Sequence, residues 1–222
     1  MVKGQVYGDM IKSKKIQINP IEENTALALK MTDEFIRNEG LAGKNAIHFR
    51  LLTEVTLGMV GAMKGDFIVR FWIEKEESEY RICLSSDRNM VQNMQNQLTY
   101  GQTGDNLTLG NGIMSMIGAV FEYGCCQDED VRLLRQEYES GCVEYGAMGL
   151  SARGEMGEEE ERVIWSLENY REALAAAAAA DDSEKVAWNE LEASIITSLA
   201  RDVVVEVKKD TVDLIIFYPD VP

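Results

Sequence analysis

Apolar and polar residues alternate in several short runs along the chain. Residues 67–74 place Phe67, Val69, Phe71 and Ile73 on one side, and residues 79–86 do the same with Tyr80, Ile82 and Leu84. A period of two marks a strand with one buried face. The polar run Lys75-Glu76-Glu77-Ser78 between the two predicts a β-hairpin. Residues 203–207 and 211–218, joined by Lys208-Lys209-Asp210, predict a second pair of strands. Near the start, residues 14–18 predict a short strand stopped at Asn19-Pro20, since proline cannot donate to a ladder. Residues 5–11 predict another.

Elsewhere the spacing lengthens to three and four. Residues 22–39 carry Ala26, Leu29, Phe35 and Ile36 among charges, which predicts an amphipathic helix ending at Gly40 as its C′ residue. Residues 44–63 predict a second helix, with Ile47, Leu51, Val55, Met59 and Met63 as its buried stripe. Residues 87–112 are polar and glycine-bearing, with a short helix near 90–98. They read as a long loop, a kind of segment that is often functional. An apolar helix follows at 113–123, and an amphipathic one with Leu191, Ile195, Ile196 and Leu199 at 187–200. Met59, Met63, Met114 and Met116 sit at helical spacing and are expected to fill core.

Residues 124–186 differ in character, being rich in Glu and Gly. Residues 158–171 and the alanines at 175–180 favour helix. The segment therefore reads as an acidic, partly helical insertion into a domain made of 1–123 and 187–222. The element order predicts an α+β fold, with helices packed on one face of a mixed, largely antiparallel sheet.

Composition narrows the functional classes. The 222 residues hold 38 acidic and 22 basic side chains, a net charge of −16. Non-specific nucleic-acid binding and anionic membranes both require a basic patch, so neither is expected. No run approaches the roughly 20 apolar residues that span a bilayer. The first residues lack the apolar core of a signal peptide. A soluble, cytoplasmic protein is the expectation. Cys83, Cys125, Cys126 and Cys142 form no CxxC pair and there is one histidine, His48, so no zinc site is expected. The cysteines read as reduced thiols.

Three short motifs carry candidate chemistry. The second helix contains Glu54-Val55-Thr56-Leu57-Gly58. The first hairpin ends in Ser85-Ser86-Asp87-Arg88-Asn89-Met90. Gly110-Asn111-Gly112-Ile113 opens the later helix. In this order on these elements, they resemble the GHKL (Bergerat) ATP-binding superfamily, and its anti-sigma-factor serine kinases in particular. The resemblance covers roughly residues 14–123 and, more weakly, 187–218.

It implies a divergent histidine-kinase-like ATP-binding domain. Glu54 would be the catalytic base, Asp87 would contact adenine, and the amides at Gly110 and Gly112 would face phosphate. ATP is the cofactor implied. The family's magnesium-binding asparagine is Gly58 here, so no metal ligand is assigned, and two family glycines after the aspartate are Asn89 and Val91. The alternative is a catalytically inactive regulatory or protein-interaction module on the same fold. The implied partners are a regulatory protein and a second copy of the chain.

Each residue also has a plainer reading. Glu54 stands four residues after Arg50, the spacing of a helical ion pair. Asp87 could cap a helix over 88–98. Gly58, Gly61 and Ala62 could admit a close neighbour, and Gly110–Gly112 could be an ordinary turn. His48 reads as a surface or core residue rather than a base.

Overall fold

The structure is a computed structural model. It describes residues 10–18, 22–62, 68–77, 79–87, 150–152, 163–180, 194–208 and 210–219. Ile113, Ile117, Gly118, Val120, Phe121, Trp188, Asn189 and Leu191 are described as well. In chain order the elements begin with β1 (Ile11–Lys12), β2 (Ile16–Ile18), α1 (Glu22–Asn38) and α2 (Gly43–Ala62). They continue with β3 (Val69–Glu76), β4 (Glu79–Asp87), β5 (Leu150–Ala152) and β6 (Val163–Ser166). The last are α3 (Leu167–Ala180), α4 (Ile195–Leu199), β7 (Asp202–Val207) and β8 (Thr211–Pro219).

The two predicted hairpins lie side by side. β3 pairs with β4, β4 with β8 and β8 with β7, giving the order β1-β3-β4-β8-β7-β6-β5, with β2 also on β3. Every pairing among the described strands is antiparallel. The fold is α+β, as the element order predicts.

Register aligns the apolar faces of all four central strands. Phe71 stands opposite Leu84, Leu84 opposite Leu214, and Leu214 opposite Val205. Ile73, Ile82, Ile216 and Val203 form the next row, and all eight of these side chains are fully buried. The helices cover this face. Phe49 of α2 sits 5.5 Å from the Tyr218 ring and 5.7 Å from Tyr80, while Phe35 of α1 meets Tyr80 edge-on at 6.4 Å. Such tilted aromatic contacts add to the area term. Helical residues Ile113, Ile117 and Phe121 join the same core, one turn apart, as the apolar pattern over 113–123 predicts. Among the described residues no helix is long and apolar enough to cross a membrane.

On the opposite face two aromatic side chains, Trp72 and Phe217, lie under cations. Lys15 stands 4.1 Å above Trp72, and Arg81 and Arg201 lie 5.3 and 5.2 Å from the Phe217 ring. Aromatic faces attract cations, while Glu74, Cys83 and Ser85 on the same face are buried.

α1 ends as its glycine predicts. Gly40 has φ +71°, its N–H donates to Arg37, and the Leu41 N–H reaches back to Ile36. This is a Schellman closure, in which a residue without Cβ takes the left-handed position.

α2 departs from expectation. Ile47 is 66% exposed, and the buried side chains are Phe49, Leu52, Thr53, Thr56, Leu57, Met59 and Val60. Four residues advance about 400°, so a strict spacing of four drifts about 40° per step and leaves the core face. Two polar residues occupy that face instead. The Thr53 and Thr56 hydroxyls donate to the Phe49 and Leu52 carbonyls at 3.0 and 2.7 Å, which satisfies them without a tertiary partner.

The residues read as an insertion also differ. Val163–Ser166, expected to be helical, is strand β6, and its β-branched and aromatic residues suit that state. β6 pairs with β7, β5 pairs with β6, and the helix starts only at Leu167. Trp165, Leu167 and Leu174 belong to the same hydrophobic cluster as the central strands.

Candidate functional site

Glu54 lies on the exposed side of α2, because α2 buries the faces carrying Leu52–Thr53 and Thr56–Leu57. Arg50, one turn earlier, binds its carboxylate. The same guanidinium donates from Nε to Asp33 Oδ1 of α1 at 2.7 Å. The hydrogen bond to Asp33 and the two carboxylate charges outweigh desolvation and raise the Arg50 pKa above its ordinary value. One arginine thus ties α1 to α2 and occupies Glu54. Gly58, one turn further, is exposed. A Cβ built there or at Gly61 meets nothing within 4 Å among the described residues, so neither glycine admits a close neighbour from that part of the chain.

Asp87 is the last residue of β4. By strand alternation it shares a face with Ser85 and Cys83, opposite the face that carries Tyr80, Ile82 and Leu84 under the helices. Arg70 of β3 grips it with two prongs, Nη2 to Oδ1 at 2.5 Å and Nη1 to Oδ2 at 3.3 Å, and reaches Ser85 Oγ at 3.5 Å. Planar two-point binding of a carboxylate is the geometry a guanidinium favours. No described contact joins Asp87 to Glu54. Gly110 and Gly112 lie outside the described residues, as does the 88–98 helix that Asp87 could cap.

A cavity of about 540 Å³ opens at the other end of α2. Lys44, Asn45 and His48 contribute from the first turns of that helix, Ser198 and Leu199 from α4, and Tyr218 from β8. The Tyr218 hydroxyl, on a side chain 3% exposed, donates to Asn45 Oδ1 over 3.3 Å. Of the lining residues, the sequence points to His48, as a plain surface or core histidine, and to Leu199, on the apolar face of a helix. The described lining comes from two segments, 42–48 and 198–219, far apart in the chain, and only the Lys44–His48 spacing of four hints that two of them share a face.

Cys83 is buried on the sheet. Desolvation pushes its thiol pKa far up, so it stays protonated and unreactive at neutral pH. Among the described residues, no three His, Cys, Asp or Glu side chains cluster as metal ligands would. Neither the comparison with protein-family models nor that with curated proteins finds a match.

Proposed function

We propose that the chain is a divergent histidine-kinase-like domain of the GHKL type that serves as a regulatory, protein-interaction module and transfers no phosphoryl group. The observation that carries this reading is the Arg50–Glu54 pair. A base must present an open carboxylate to the attacking group, whereas this one is bound by its own helix. The residue one turn on is Gly58, which offers no oxygen to the metal that phosphoryl transfer uses to neutralise developing charge. The α+β scaffold, with helices over one face of the sheet, supports the resemblance at the level of fold class.

The test is turnover of ATP by the full chain with Mg²⁺. The reading expects none, both in the wild type and in Arg50→Ala. Hydrolysis by the wild type that disappears in Glu54→Gln would overturn it.

A second reading, nucleotide binding without turnover, is favoured by the place of Asp87 at the end of β4. Calorimetric titration separates the two. Heat on adding ATP to the wild type, lost in Asp87→Asn, supports nucleotide binding. Binding that needs Mg²⁺ and arises only in Gly58→Asn points to a decayed pocket. Silence in both chains leaves the interaction module.

A further inference from the structure

We draw no further inference here: the strongest candidate, the apolar outer side of α2 where Ile47 is exposed and Leu51 and Val55 are half-buried, carries none because nothing in the structure shows what covers it.

Discussion

Single residues hold strain and charge that can be tested one at a time. Glu77, in the turn between β3 and β4, has φ +53°, a left-handed conformation that a Cβ makes costly. Glycine adopts it freely but has more freedom to lose on folding. On balance Glu77→Gly should stabilise the chain by roughly 0.5–1 kcal/mol. The check is a higher urea midpoint at unchanged denaturant slope. Asp202 carries a charge problem. Burial raises its pKa above the ordinary 3.8 and outweighs the N–H groups of Glu168 and Val203, which donate to Oδ1 at 3.1 and 2.8 Å. A carboxyl whose pKa is higher folded than unfolded binds its proton better in the folded state. Its ionised form therefore costs stability at neutral pH, and that cost fades as pH falls through the raised value toward 3.8. Asparagine keeps the accepting oxygen without the charge. Asp202→Asn should be more stable than wild type at neutral pH, with the advantage shrinking on acidification, as read from denaturant midpoints across pH. Glu74 has the opposite sign. Burial pushes its pKa up, but hydrogen bonds from Lys12 and Trp72 and the charges of Lys12 and Arg81 bring it below the ordinary 4.5. Its contribution is present above 4.5 and is lost as pH falls through the lowered value. Glu74→Gln should therefore lower stability at neutral pH and flatten the loss seen in acid.

At the scale of elements, α2 combines a well-packed face with an exposed face that favours helix poorly. Gly58 is an interior position of α2 and Gly61 lies in its last turn; both are exposed, and a Cβ at either meets nothing within 4 Å among the described residues. Glycine in such a place costs about 1 kcal/mol relative to alanine. Gly58→Ala should raise stability by about that amount and Gly61→Ala, in the last turn, by less, as read from denaturant midpoints; a destabilised Gly58→Ala would mean that its open side has an occupant. The same helix shows where sequence reading succeeds and fails. The central strands were legible because a period of two tolerates no drift, so Phe71, Ile73, Ile82 and Leu84 could be assigned to one face directly. The face of α2 was not, since Ile47, Leu51 and Val55 mimic a stripe while Thr53 and Thr56 enter the core by bonding their own backbone. β5 and β6 escaped notice because three or four residues are too few to show alternation, and only the ladder on β7 selects strand there. In the candidate site, the Arg50–Glu54 pair was readable as a local spacing of four. The Arg70–Asp87 grip was not, because 17 residues separate the partners until the β3–β4 register brings them together.

For the molecule as a whole, the question is whether the chain folds as one cooperative unit. Its central strands come from residues 69–87 and 202–219, yet β6 and α3 add Trp165, Leu167 and Leu174 to the same cluster. Trp165 is completely buried, with its ring 6.2 Å from Tyr170 and its strand position opposite Val205. Truncating a buried tryptophan to alanine costs about 3–5 kcal/mol through lost burial and the cavity left behind. Among the described residues the indole N–H has no hydrogen-bond partner, so phenylalanine would shed an unpaired donor along with some area. Trp165→Phe should accordingly cost much less than Trp165→Ala. If the cluster is shared, Trp165→Ala lowers stability everywhere at once. Far-UV circular dichroism and hydrogen exchange in β4 and β8 should then shift together in a single transition. A separate insertion would behave differently: residues 163–180 would melt early in the variant while the Tyr80–Tyr218 region kept its wild-type protection. The continuous ladder from β4 through β8 and β7 to β6 predicts the first outcome, since loosening β6 uncovers Val203, Val205 and Val207 on β7, side chains that also belong to the central core.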